Sequence, residues 1–219
     1  MEKTKNSIKN MVKLSLEEEI GNAVTHGVMA LISLILIPIT AIYTYSIGGL
    51  TFGLGVSVFT ICIFMMFLIS TLYHSMAFDT TQKYVFRILD HIFIYFAIAG
   101  SYTPIALSLI GGWQAVVILI IQWGCVIFGI LYKAVAKKEY PKLTLSLYLI
   151  MGWVAILFMP TIIRNSDFIF VALIALGGVL YSVGAYFYTR KKKYAHVLWH
   201  MFINAASISH YIAIVFFIK

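Results

Sequence analysis

The stretch YTYSIGGL, residues 43–50, lies inside an uncharged run that extends from Ile20 to Phe78. A helix crosses the hydrocarbon core of a bilayer in about 20 residues, so this run is too long for a single crossing. The paired glycines Gly48 and Gly49 permit the backbone to turn. The run therefore predicts two membrane helices, at 20–43 and 49–75, joined by a short turn.

The composition excludes a soluble domain. Of the 219 residues, 62% are hydrophobic and only 11% are charged, whereas a soluble domain carries about 25% charged residues. The 16 Phe, 14 Tyr and 4 Trp residues suit lipid contact and the membrane interface. The first nineteen residues hold no apolar core followed by a cleavage site, so no cleavable signal peptide is expected. The chain is expected to be an integral, multi-pass membrane protein.

The remaining charge-free runs predict five further helices. The run from Asp90 to Lys133 breaks at IGGWQ, residues 110–114, and each later run fits one crossing. The predicted fold class is an all-α bundle of seven transmembrane helices, at 20–43, 49–75, 88–110, 113–133, 143–163, 168–189 and 194–218. It would form one domain, 17–219, after an N-terminal segment, 1–16.

The basic residues predict the orientation of this bundle. With a cytoplasmic N-terminus and an outer C-terminus, 14 of the 16 Lys and Arg residues fall on the inner side, leaving Arg164 and Lys219 outside. The inner ones are Lys3, Lys5, Lys9, Lys13, Lys83, Arg87, Lys133, Lys137, Lys138, Lys142, Arg190, Lys191, Lys192 and Lys193. A basic inner face against anionic lipid accounts for the net charge of +8 without nucleic acid.

Polar residues converge at the inner end of three helices. His196 and His200 are four residues apart, which puts both imidazoles on one helix face. His74 is predicted at the same depth, with Ser70 one turn deeper and Asp90 at the head of the next helix. Three neutral imidazoles form a zinc shell with an open fourth position, as in catalytic sites. Asp90 could then hydrogen-bond a zinc-bound water and accept its proton.

Other interpretations of these residues stay open. The three histidines could simply pack, Asp90 could cap its helix or pair with Arg87, and the glutamates at 17–19 could complement the helix dipole. Imidazole also suits copper, nickel and iron. His91 points about 100° away from Asp90 on a helix and favours a packing role, and His210 has no partner at its depth.

These residues resemble the progestin and adiponectin receptor (PAQR) family, and within it the bacterial hemolysin III branch. Three motifs carry the resemblance across nearly the whole chain, namely Glu19-x-x-Asn22-x-x-x-His26, Ser70-x-x-x-His74 followed by Asp90 and AGSYTP at 99–104, and His196-x-x-x-His200. The resemblance implies a bacterial plasma-membrane location, a cytoplasmic N-terminus and a zinc ion near the inner leaflet. The residues that match its ligands are His74, His196 and His200, with Asp90 reached through water and Ser70 adjacent.

The resemblance implies three kinds of function. Receptor-branch members and the similar alkaline ceramidases imply hydrolysis of a lipid amide, bacterial members imply a role in lipid homeostasis, and the hemolysin name implies lysis of red cells. A channel would need polar helix faces through the full bilayer depth, and here the ionisable groups cluster on one side. We expect a zinc hydrolase or a membrane-state sensor, with membrane lipids as partners and no nucleic acid or known protein partner.

Overall fold

The structure is a computed structural model that describes residues 13–135 and 140–218. The described chain is helical throughout, without a β-strand. Its α-helices are α1 (Leu16–Ser75), α2 (Thr81–Pro104), α3 (Gly112–Val135), α4 (Pro141–Trp153), α5 (Met159–Asn165), α6 (Phe168–Tyr188) and α7 (Ala195–Phe217). The N-terminal segment predicted at 1–16 lies largely outside the described residues, as do Lys137, Lys138 and Lys219.

Six helical segments of the described chain are long and apolar enough to cross a membrane. They are Leu16–Ser75, Thr81–Ile110, Gly112–Lys133, Pro141–Asn165, Phe168–Tyr188 and Ala195–Phe217. Most ends of these segments lie within a few residues of the ends predicted for the apolar runs. The main difference is the start of α2, which was predicted at 88 and lies at Thr81, because the Thr80 hydroxyl accepts a hydrogen bond from the Lys83 amide and caps the helix.

The longest segment, α1, turns back on itself at the predicted glycine pair. Gly49 has φ +70° and ψ −166°, a conformation that only glycine adopts readily. A Cβ built on Gly53 would lie 3.2 Å from the Tyr45 Cα, whereas eight residues of straight helix span about 12 Å. Gly27 and Thr71, equally far from Gly49 on either side, are also in contact. The two halves of α1 are therefore antiparallel neighbours.

Glycine and proline set the other breaks where the backbone requires them. After Pro104 the chain widens into a π-helical turn, Ile105–Ile110, and then reverses at Gly111 (φ +67°) and Gly112 (φ +55°). The run predicted as one continuous helix at 143–163 is interrupted by a 3₁₀ turn, Val154–Phe158, before Pro160. A proline ring collides with the carbonyl four residues earlier in an α-helix, which accounts for the tighter turn there.

Small residues allow the helices to approach closely. A Cβ on Gly55 would lie 2.9 Å from the Pro104 Cα, and one on Gly100 would lie 2.7 Å from the Cys62 Cβ, so the second half of α1 packs directly on α2. The first half of α1 runs parallel to α7, where Gly21 contacts Val197. This arrangement brings the start of α1, its far end and the start of α7 to the same end of the bundle.

His210, which the sequence left unexplained, lies between α6 and α7. Its Nε2 is 3.2 Å from the Ile174 carbonyl oxygen, and its ring packs edge-on against Tyr181 at 5.4 Å. A Cβ on Gly177 would occupy the same space as the imidazole. His210 therefore has a structural role, as an interhelical hydrogen-bonding group that needs a glycine opposite.

We predict that Gly177→Ala lowers the melting temperature of the purified protein in detergent. The added methyl collides with the His210 imidazole, and overpacking of this kind costs about 1–3 kcal/mol. The matched control is Gly124→Ala, since a Cβ there meets no atom of the described chain within 4 Å and alanine favours the helix. A Gly177→Ala protein that melts with the native one would contradict this account of His210.

Candidate metal centre

Three histidines predicted as metal ligands lie together at one end of the bundle. The ligand atoms of His74, His196 and His200 all lie within 4.8 Å of one another. The ring centroids are 5.1 Å apart for His74 and His196, 5.0 Å for His74 and His200, and 4.9 Å for His196 and His200. Both halves of the chain contribute, because His74 ends α1 and the other two open α7.

The donor set fits a metal ion. Nε2 of His74 and of His196, and both ring nitrogens of His200, are buried without a hydrogen-bond partner among the described residues. A buried polar atom without a partner costs free energy, and a ligated metal removes that cost. Zinc binds histidine nitrogens at about 2.0–2.1 Å, and three histidines are one of its known ligand sets. These three histidines could hold a metal ion.

Glu19 orients the His74 ring. The His74 Nδ1–H donates to Glu19 Oε2 at 2.7 Å, which leaves the lone pair on Nε2, the atom that faces the other histidines. Carboxylates that accept from the far nitrogen of a metal-binding imidazole fix its tautomer and raise its basicity. The Asn22 side-chain amide lies 3.5 Å from the same Nδ1. Glu19 thus does more than complement the helix dipole.

A buried lysine holds this carboxylate in place. Lys83 Nζ donates to Glu19 Oε1 at 2.7 Å and to the backbone oxygens of Tyr73 and Met76 at 3.3 and 3.2 Å. Lys83 is only 1% exposed. A buried ammonium requires a close anion and further acceptors, and it has all of them here. The contact between Lys83 and Glu19 was not predicted from the sequence, because the predicted helix began at residue 88 and left residue 83 in a loop, whereas α2 begins at Thr81.

The neighbouring glutamate anchors the start of α7. Glu18 Oε2 accepts from the Ser15 amide at 3.1 Å, and the Ser15 hydroxyl accepts from the Glu18 amide at 3.3 Å, which together form a capping box. Glu18 Oε1 also accepts from the Tyr194 amide at 2.8 Å. Tyr194 has φ +64°, a strained value for a bulky residue. The contact therefore fixes where the His196 helix begins.

His26 lies directly against the cluster as a fourth imidazole. Its ring stacks on His200 with centroids 3.6 Å apart and an interplanar angle of 11°, and it meets Phe67 edge-on at 5.1 Å. Within the described chain, neither nitrogen of His26 has a hydrogen-bond partner. His26 therefore packs against one face of the His200 ring.

Ser70 lies one helical turn before His74 in α1, and Asp90 lies in α2, which packs on the second half of α1. Both are buried, at 1% and 5% exposure. The Ser70 hydroxyl has no hydrogen-bond partner within the described residues. Asp90 lies well inside α2, whose cap is Thr80, so the interpretation of Asp90 as a helix cap is wrong.

His91 faces away from this centre. The Tyr148 hydroxyl donates to its backbone oxygen at 2.6 Å, and its Nε2 lies 3.5 Å from the Tyr188 hydroxyl. Tyr188 in turn packs against His196, with centroids 6.0 Å apart. His91 therefore belongs to a second polar region beside the cluster.

Comparison with known proteins identifies the family of this chain. The family model described as "Haemolysin-III related" matches residues 14–211, which includes every helix that contributes to the cluster. The chain belongs to the haemolysin-III-related family. Six apolar helices and this membership make it a multi-pass membrane protein, consistent with a bacterial cell membrane.

Individual members of the haemolysin-III-related family are similar along most of the chain. The chain is 33% identical over 204 residues to the Hemolysin-3 homolog of Bacillus subtilis (strain 168), and this alignment covers 93% of this chain and 95% of that protein. It is 34% identical over 204 residues to Hemolysin-3 of Bacillus cereus, covering 93% of each. The human monocyte to macrophage differentiation factor is 30% identical over 156 residues, covering 68% of this chain and 64% of that protein.

We predict that Glu19→Gln weakens metal binding by about 10- to 100-fold, because the His74 ring loses its charged acceptor. Isothermal titration of zinc into chelator-treated protein measures this change. The matched control, Glu17→Gln, removes the same charge from an exposed position two residues away and should bind zinc like the native protein.

Both variants should elute as single folded species in size-exclusion chromatography. In Glu19→Gln the amide oxygen can still accept from Lys83, and in Glu17→Gln the changed side chain is exposed. Equal zinc affinity of folded Glu19→Gln and native protein would show that the carboxylate does not tune the site.

Proposed function

We propose that the protein is a zinc-dependent hydrolase that acts inside the membrane on a lipid amide, with His74, His196 and His200 as ligands. The observation that carries the proposal is the convergence of three imidazoles, each with a buried ring nitrogen that has no hydrogen-bond partner within the described residues, near a buried carboxylate and a buried hydroxyl. A site meant only for packing has no need of a desolvated Asp at 5% exposure next to it.

Each side chain has a distinct task in this proposal. A zinc ion bound by the three imidazoles supplies a Lewis acid for the scissile carbonyl and activates water near neutral pH. Asp90 accepts the proton of the attacking water and returns it to the leaving amine. Ser70, whose hydroxyl lies beside Asp90, orients that water or donates to the developing oxyanion. Glu19 and Lys83 keep the His74 ring aimed at the metal.

We also propose seven membrane crossings, a cytoplasmic N-terminus and an outer C-terminus. The reversal of α1 at Gly49 supports two crossings within that segment. The end of the bundle that holds the histidines also holds most described basic residues, namely Lys13, Lys83, Arg87, Lys133, Lys142, Arg190, Lys191, Lys192 and Lys193. The positive-inside rule places that end in the cytoplasm, so substrate would enter from the inner leaflet.

A second candidate function is a sensor or regulator of membrane-lipid state, in which the metal is structural. The observation in its favour is that the ligands join the far end of α1 to the start of α7. A metal there would fix how these helices pack without any turnover. The two functions differ in their dependence on Asp90, which is not part of the group of three histidines.

We predict that Asp90→Asn abolishes lipid-amide hydrolysis and keeps the metal. Removing a general base costs about 10²- to 10⁴-fold in rate, while the three imidazoles are untouched. Release of fatty acid from a fluorescent N-acyl sphingoid base, together with elemental analysis, measures both properties. The native protein and the variant should each hold about one zinc per chain.

The matched control is Asp79→Asn, at an exposed residue near the same end of the bundle. Asp79 has φ +63°, and asparagine tolerates that conformation, so this variant should hydrolyse like the native protein. Native protein that holds zinc and releases no more fatty acid than Asp90→Asn would contradict the hydrolase and favour the sensor. Folded native protein without zinc would contradict both.

A further inference from the structure

A second polar cleft lies beside the metal centre, between α2, α3, α4 and α6. It is lined by Arg87, His91, Lys133, Pro141, Thr144, Leu145, Tyr148 and Tyr188. None of these residues belongs to the metal-ligand set or to the three sequence motifs. The cleft opens at the end of the bundle that carries most described basic residues.

Two cations give this cleft a positive character. Arg87 and Lys133 both line it, and Lys133 is only 9% exposed. The charges of both also act on Asp90 and on His91. Cationic side chains of this kind attract anions, and above all phosphate and carboxylate groups.

The start of α4 adds backbone donors to the same cleft. Its first intrahelical hydrogen bond runs from the Thr144 amide to the Tyr140 oxygen at 3.1 Å, so the amides of residues 142 and 143 precede the hydrogen-bonded ladder. No side chain caps this end. Helix N-termini with unsatisfied amides bind phosphate and other anions, and the helix dipole adds to the attraction.

A buried hydroxyl in the cleft supports the presence of a ligand. Thr144 is 4% exposed, lines the cleft, and its Oγ1 has no hydrogen-bond partner in the described part of the chain. Buried hydroxyls are normally paired. The Thr144 hydroxyl can donate to an oxygen of a bound anion.

The dimensions of the cleft fit one oxygen inside and the rest of the anion at the mouth. Its inner volume is about 20 Å³, the space of roughly one water molecule. A tetrahedral phosphate can place a single oxygen there and leave its ester substituents outside.

We propose that this cleft binds the phosphodiester of an anionic phospholipid in the adjoining leaflet. The phosphodiester carries one negative charge, and Arg and Lys are the side chains that bind phosphate. Basic pockets between transmembrane helices on the cytoplasmic side hold lipid headgroups in this way. The same donors could receive free inorganic phosphate, and the experiment below separates these two sources.

The cleft is joined to the metal centre through one side chain. The Tyr188 hydroxyl lies 3.5 Å from His91 Nε2, and the Tyr188 ring packs against His196. A lipid held by its phosphate at the cleft would therefore lie one residue away from a metal ligand. The binding proposal does not rest on turnover, and a catalytically inactive protein would still bind the lipid.

The test uses full-length protein in a neutral detergent, titrated with phosphatidylglycerol and followed by native mass spectrometry. Lys133→Gln should bind the lipid at least about tenfold more weakly, because one charge-assisted phosphate contact is lost. Thr144→Val, which removes only the hydroxyl, should weaken binding a few-fold. The matched control is Lys142→Gln, an exposed lysine beside Pro141, which should bind like the native protein.

The outcomes separate the alternatives. Lipid binding that is weakened by Lys133→Gln and by Thr144→Val, but not by Lys142→Gln, supports the phospholipid site. If Lys133→Gln and Lys142→Gln bind the lipid equally well, the proposal is overturned. If Lys133→Gln does not fold, the Thr144→Val protein decides, and lipid binding equal to that of the native protein overturns the proposal. Inorganic phosphate that displaces the lipid at low millimolar concentration, through the same residues, overturns the lipid source and assigns the cleft to free phosphate.

Discussion

The Glu19 carboxylate is the interaction on which the metal centre depends, because it holds a histidine from one side and a lysine from the other. His74 and Lys83 both donate to it at 2.7 Å. Burying an ammonium, a carboxylate and an imidazole separately would cost several kcal/mol each, but as a connected set each one meets the others' needs. Breaking this set would release the end of α1 from the start of α2 as well as misdirect the His74 ring.

The sequence predicts the helices well, because the positions of charged residues along the chain are enough to mark the segments that can cross a membrane. Charges cannot lie in the hydrocarbon core without partners, so the gaps between Glu19, Asp79, Asp90 and Lys133 mark the apolar runs directly. The turn at Gly49 follows from the same constraint combined with glycine's tolerance of positive φ. The approach of His74 to His196 and His200 follows in turn from helix direction, since residues at matched ends of crossing helices share a depth.

The sequence does not predict features that depend on which helix faces which. The start of α2 at Thr81 rests on one hydroxyl cap, and only that start places Lys83 inside a helix where it reaches Glu19. The role of His210 needs Gly177 from a neighbouring helix, a pairing that spacing along the chain cannot reveal. The cleft beside His91 combines side chains from four helices, and charge counting alone assigned Arg87 and Lys133 to a general basic face.

The hydrogen bond from the Tyr194 amide to the Glu18 carboxylate has a consequence for how the protein is made. The two residues are 176 positions apart, and the metal ligands come from the second half of α1 and from α7. Translation and membrane insertion proceed from the N-terminus, so His74 enters the bilayer long before His196 exists. The cluster of three histidines therefore cannot form until the last helix has been made, and any metal that it holds would be taken up only then. A chain that stalls or is truncated before α7 would lack two of the three histidines.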